Sequence, residues 1–188
     1  LFATSDSVTK AKLVSFCSST QTNGVYEGDL ETRIPYQVLQ AKEATLRSNE
    51  FDILHNNYYH FYLMSGFSDF AACPIVTTMH NHHWHSPNLK KVLEKTHRKG
   101  KDVVVFASIA AQKRSENLFD SEVIYHGINV SLFPFSDKPK GDILWYSRMV
   151  PPKGVKDAID ASEAGGFPLT LAGGEPLKPE HKTFFEKN

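Results

Sequence analysis

Short apolar runs bounded by polar turns alternate along this chain with segments whose apolar residues recur at helical spacing, and that alternation restricts the fold more than any other feature. A strand followed by a helical stretch and another strand is the pattern of a parallel α/β sheet, because parallel neighbours need a crossover long enough to hold a helix. The spacing predicts strands at Leu13–Phe16, Phe51–His55, Ile75–His80, Val103–Ser108, Ser121–Tyr125, Ile143–Ser147 and Leu169–Ala172. Between them, Pro35–Leu46 places Tyr36, Leu39 and Leu46 on one helical face, with Pro35 acceptable in the first turn, although Glu43 shares that face. Val155–Glu163 repeats the pattern, and Gly165-Gly166 supplies the left-handed residue that commonly ends a helix.

A chain of 188 residues, 40% hydrophobic and 22% charged, has enough apolar material for one sizeable core or two small ones and does not have the makeup of a disordered chain. Lys and Arg together number 21, as do Asp and Glu. With no net charge there is no global attraction to nucleic acid, so any anion site must be local. The longest apolar stretch, Val103–Ala111, falls short of the ~20 residues a membrane-spanning helix requires. Cys17 and Cys73 have neither disulfide-framework nor zinc-ligand spacing, so a cytoplasmic location is expected. The opening residues lack the basic start of a signal peptide.

The segment Phe133-Pro134-Phe135-Ser136-Asp137-Lys138-Pro139-Lys140-Gly141 breaks both periodicities. It predicts a linker over 133–141 between a domain at 1–132 and a second at 142–188. Only 47 residues follow the linker, fewer than the roughly 50 at which a domain becomes self-sufficient, so the second domain is expected to be truncated. Both chain ends read as breaks, with Phe184-Phe185-Glu186-Lys187-Asn188 stopping inside a helical pattern and Leu1-Phe2 beginning abruptly.

The stretch Ile143–Val155 carries the most chemistry: a strand, a loop with Arg148 and Lys153, then Gly154 and a helix. A loop at the carboxyl end of a parallel strand, leading into a helix, presents unpaired N–H groups and the positive end of a dipole, which favours phosphate. Arg148 offers a planar fork and Lys153 a point charge, so a diphosphate spanning both would be held and its charge stabilised on departure. Two cations in a solvated surface loop are the competing reading.

His80-Asn81-His82-His83-Trp84-His85 places four imidazoles in six residues, which invites a metal-site reading, but no carboxylate or thiolate stands at a ligand or hydrolase spacing. Histidines at a surface or cleft edge without a metal fit equally. His126 before Gly127 is a candidate base or a turn cap, Ser108 lacks a nucleophile elbow, and Gly173-Gly174 is a candidate close approach or a plain turn. Asp52 and Glu175 give no basis for a carboxylate pair, and Tyr58, Tyr59, Phe61 and Tyr62 fit either a core or an acceptor pocket.

Arg148-x4-Lys153-Gly154-Val155 after an apolar strand, preceded by Tyr125-His126-Gly127-Ile128-Asn129-Val130-x2-Phe133, resembles the HGID and GR…P.KG passages of the group 1 glycosyltransferases, also called glycosyltransferase family 4. Phe51–His55 is similar to that family's FDIIH, Pro74–His80 to PVVTTLH, Ser108–Gln112 to iSdaQ, Leu169–Gly174 to L.LAG, and Leu1–Ser7 to LFATGDS. These motifs fall in the family's order across essentially the whole chain. The resemblance implies a GT-B architecture of two Rossmann-like domains with parallel sheets, here both incomplete, lacking the first strand and glycine-rich loop upstream and the Glu-x7-Glu element downstream. It implies a retaining transfer of sugar from a nucleotide-diphosphate donor, of UDP, GDP or ADP type, to a sugar, lipid or small-molecule acceptor. Arg148 and Lys153 would bind the diphosphate with Gly154 and assist its departure, His80 would contact the donor sugar, and no metal cofactor would be required. Ser147 stands where the family commonly has Gly. The expected protein is cytoplasmic, or peripheral at a membrane if the acceptor is a lipid, and the fragment alone is expected to be inactive. A sugar-nucleotide 2-epimerase of the same architecture, a non-catalytic sugar-nucleotide binder and a metal-binding module centred on His80–His85 are the alternatives.

Overall fold

The computed structural model describes residues 1–18, 30–58, 60–80, 86–138 and 141–174. The chain divides into two compact units, the first holding the described residues up to Ile128 and the second those from Asn129 onward.

The first unit is built on four parallel strands, β1 (Leu54–Asn56), β2 (Ile75–Met79), β3 (Val103–Phe106) and β4 (Ser121–Val123), which lie side by side in sequence order. Helices α2 (Tyr62–Ser65), α3 (Pro87–Thr96) and α4 (Ile109–Lys113) lie in the successive crossovers, and α1 (Leu30–Leu46) precedes the sheet. This is a Rossmann-like α/β arrangement with consecutive neighbours. Central strand β3 is buried from Val104 to Phe106, as a strand covered on both faces should be. Phe106, Leu93 and Phe61 anchor one apolar cluster, and Ala41, Leu54, Met64 and Ile75 belong to a second.

A polar clamp joins the amino ends of the two central strands. Asp102, just before β3, accepts the Ile75 N–H of β2 on Oδ1 at 2.8 Å. Arg98 grips the same carboxylate with two N–H groups, at 2.6 and 2.8 Å, and donates to the carbonyls of Ala71 and Cys73. Beside it, the His97 ring packs edge-on against Phe119, and its Nε2 accepts the Asp120 N–H at 3.1 Å, which requires an unprotonated nitrogen there.

The second unit contains parallel strands β5 (Ile143–Tyr146) and β6 (Leu169–Ala172), joined through α5 (Val155–Gly165), which packs against both. Leu144 and Tyr146 are exposed, whereas Trp145 is half-buried.

Several elements depart from the periodicity. Leu13–Phe16 forms no strand; among the described residues its Val14 makes only an isolated parallel bridge with Phe2. The first sheet strand begins at Leu54 rather than Phe51 and runs one residue past His55. Strands expected to reach His80, Ser108, Tyr125 and Ser147 stop one to two residues short, because the chain turns there into loops or helix caps. Helix α1 starts at Leu30, so Pro35 lies inside it instead of in its first turn. A proline's fixed φ is itself helical, but inside a helix it forgoes the bond to the residue four earlier and crowds that residue's carbonyl, a cost this helix carries at Pro35. α5 extends to Gly165, and Gly166 (φ 67°) ends it in the left-handed region.

Removing the guanidinium would leave the Asp102 carboxylate buried without its cation and take a donor from the Cys73 carbonyl, while the Ala71 carbonyl keeps its bond from Lys101 Nζ at 3.1 Å. Arg98→Ala is expected to destabilise the fold by about 3–5 kcal/mol in denaturant titration, with Asp102→Ala comparable. Burial is the largest influence on His97 and pushes its pKa below the ordinary 6.5, outweighing Asp120 and Asp102, which pull it up. The unfolded chain therefore binds more protons in the window between the folded value and 6.5, so stability is fully present above pH 6.5 and falls as the pH drops through that window. Stability curves of His97→Gln should be flatter there than those of the unaltered chain.

Candidate functional site

In the second unit the site grows from the carboxyl end of β5. Ser147 extends the ladder, its N–H bonding the Ala172 carbonyl at 3.1 Å, and the chain then turns through Arg148–Val150 into a 3-10 turn at Pro151–Lys153. Buried Val150 and Val155 anchor the loop's two ends in the apolar interior, and the Trp145 indole donates to the Lys153 carbonyl at 3.1 Å. The backbone between these anchors is fixed, while the two cationic side chains extend outward. Arg148 and Lys153 are both exposed, and their side chains make no hydrogen bond or ion pair among the described residues.

Gly154 precedes α5 with φ 68°, a left-handed conformation that a side chain would strain. The helix's first backbone bond runs from the Ala158 N–H to the Gly154 carbonyl at 3.0 Å. The three preceding N–H groups, of Val155, Lys156 and Asp157, bond no acceptor among the described residues. Asp157 lies in the first turn, where a carboxylate complements the dipole, and its Oδ2 would stand 3.3 Å from a Cβ on Gly154. Across the strand exits, a Cβ on Gly173 would collide with the Ser147 carbonyl oxygen and reach within 3.3 Å of Met149. Gly173 is thus a close approach of two backbones, which sequence alone left open with a plain turn. Strand ends, open amides and cations together make a loop suited to an anion.

In the first unit, His80 is the first residue beyond β2 and is exposed. Its ring stacks on that of His126, with centroids 5.5 Å apart and planes 11° from parallel. Nε2 of His80 lies 3.1 Å from Oδ1 of Asn57, the first residue beyond β1. Asn57 is set by its neighbour Asn56, which is fully buried. The Asn56 amide donates to the Phe61 carbonyl and the Thr77 hydroxyl, and its Oδ1 accepts the Tyr58 N–H. Burial, with Cys17 contributing, pushes the Tyr58 phenol well above its usual range. Phe61 lies in the core and Tyr62 packs against it.

Arg148, Lys153 and Gly154 thus share one loop of the second unit, while His80 belongs to the first, beside Asn57 and His126. Asn57 carried no sequence signal as a site residue; only its position one step beyond a strand's end hints at it. Ser108, expected to close a strand, instead caps α4, its Oγ accepting the Ala111 N–H at 3.2 Å. His82, His83, Trp84, His85, Tyr59 and Glu175 lie outside the described residues. Among the described residues no three His, Cys, Asp or Glu side chains are grouped to hold a metal, and no helix is long and apolar enough to cross a membrane.

Compared with known proteins, the sequence matches no family model and no curated protein. The class defined by fold and geometry is a Rossmann-like α/β protein with an anion-suited loop at the carboxyl end of a parallel strand.

A side chain at position 173 would have to displace backbone. Gly173→Ala is expected to cost about 1–3 kcal/mol in thermal or denaturant unfolding. Gly174→Ala, where nothing lies within 4 Å of the added methyl group, should cost less.

Proposed function

We propose that this chain is part of a retaining glycosyltransferase of GT-B architecture that moves a sugar from a nucleotide-diphosphate donor to an acceptor hydroxyl. The observation that carries the reading is the Arg148–Lys153 loop. Two unpaired cations, held by a backbone whose ends are buried, stand at a parallel strand's carboxyl end beside the open amides of α5. The ordered resemblances to glycosyltransferase family 4 across the chain supply the reaction class.

In this reading the donor's diphosphate sits against the start of α5, with Arg148 forking onto its oxygens and Lys153 adding a mobile charge. As the bond between the anomeric carbon and the phosphate oxygen breaks, negative charge accumulates on the leaving diphosphate. Cations already in place stabilise it at little cost in reorganisation, so the contact strengthens toward the transition state. They supply the charge that a divalent metal supplies in other phosphate-handling sites. Gly154 keeps the loop backbone close to the ligand, and His80 contacts the donor sugar.

In the complete protein, Arg148→Ala should lower kcat about 10²–10³-fold at saturating donor, while leaving stability nearly unchanged because the side chain is exposed. Lys153→Ala should act in the same direction. Unchanged turnover in Arg148→Ala at saturating donor would remove the basis of this assignment.

A further inference from the structure

The carboxyl edge of the four-stranded sheet holds polar groups whose arrangement goes beyond a lone histidine touching a sugar. Three side chains from three different strand ends meet there: Asn57 after β1, His80 after β2 and His126 after β4. With Asn57 Oδ1 as acceptor, Nε2 of His80 carries the hydrogen, and in the neutral ring Nδ1 then holds the lone pair. Nδ1 has no hydrogen-bond partner among the described residues. Stacking on His126 covers one face of the ring, and the Asn57 contact restricts rotation about its own plane, so the direction of the Nδ1 lone pair is set.

The surroundings define what such a lone pair can accept from. Among the described residues that leave the four strands, 57, 58, 60, 80, 107–109 and 124–128 include no Asp, Glu, Lys or Arg. Amide, imidazole, hydroxyl and phenol groups, with no fixed charge among these described residues, suit an uncharged hydroxyl-bearing ligand rather than a phosphate or an ammonium.

We propose that Asn57 and His126 are positioning residues that fix His80 with Nε2–H engaged and Nδ1 open, so that His80 accepts a hydrogen bond from a hydroxyl group of a neutral polyol ligand. As to the reaction served, this rests on the glycosyltransferase reading, where the ligand is the carbohydrate being transferred or its acceptor. The arrangement of the three side chains stands independently of that reading. Asn57 acts through the hydrogen-bonded edge of the ring and His126 through its face, so the two should respond differently to conservative replacement.

The test has two arms. In the first, nitrogen-detected NMR of the isotopically labelled chain reads the His80 tautomer and the shifts of its ring C–H groups. His80 should be in the Nε2–H form with ring-current-shifted C–H resonances. Asn57→Ala should release part of the population to the Nδ1–H form, and His126→Ala should abolish the ring-current shift, which His126→Phe should retain. In the second arm, sugar transfer by the complete protein is measured for the same variants. Asn57→Ala and His126→Ala should each lower kcat about tenfold with little change in donor KM, while His126→Phe stays within about threefold of the unaltered enzyme. His80 resonances indifferent to His126→Ala, a tautomer indifferent to Asn57→Ala, or equal loss of turnover in His126→Phe and His126→Ala would overturn the proposal. Absence of any transfer by the unaltered protein would instead sink the glycosyltransferase reading, while the NMR arm would still decide whether the three side chains are assembled as described.

Discussion

The bidentate pairing of Arg98 with Asp102 is the constraint on which the first unit's geometry depends. Asp102 accepts the first N–H of β2 from a position one residue before β3, so a single carboxylate registers the two central strands against each other. Slipping that register by one residue would reverse the faces of Ile75, Thr77 and Met79, which are buried in alternation. The same register determines which residue stands first beyond each strand at the opposite edge. Placing His80 within stacking distance of His126 and hydrogen-bonding distance of Asn57 therefore begins some five residues earlier along β2, in a charged network on the far side of the sheet.

At the carboxyl edge, buried polarity gives way to exposed polarity in a graded manner. Asn56 and Thr77 lie inside and hydrogen-bond each other, and Asn56 shapes the turn that presents Asn57. Groups that are buried must be satisfied internally, and these are; groups one residue further out reach solvent and retain bonding capacity for a ligand. The half-buried Tyr58, its phenol pushed above the usual range by burial, belongs to this boundary. Loops on a parallel sheet's carboxyl edge recur as ligand sites for this reason, since strand ends and helix starts converge there with donors and acceptors that the ladder no longer uses.

The second unit solves the same problem with backbone rather than side chains. Gly173 allows two strand exits to touch, and Gly154 allows a 3-10 turn to enter α5 through a left-handed residue. Neither role depends on chemistry at the side chain, and both keep the Arg148–Lys153 loop close to the ends of β5 and β6. The two cations contribute almost nothing to holding the unit together. Exposed charges without intramolecular partners add little stability, so their placement is better understood through what they can bind than through what they support.

The amino-acid sequence by itself determined the α/β class, the parallel pairing and the β5–loop–α5–β6 unit, because alternating periodicities, Gly154 and Gly166 act over a few residues and leave local signatures. The Arg148–Lys153 pair was legible for the same reason, both cations lying in one loop next to a helix start. Pro35 misled about the start of α1, since a proline is best tolerated in a first turn and this helix instead carries it in its interior. Leu13–Phe16 looked like a strand because its apolar pattern is local, whereas pairing needs a neighbour, and among the described residues only Phe2 bridges it. Tertiary structure alone decided that Arg98 would serve Asp102 and two distant carbonyls, and that Asn57, His80 and His126 would meet. The meeting of Asn57 with His80 and of His80 with His126 joins residues 23 and 46 positions apart, through strand register and not through any repeating pattern that a linear reading can detect.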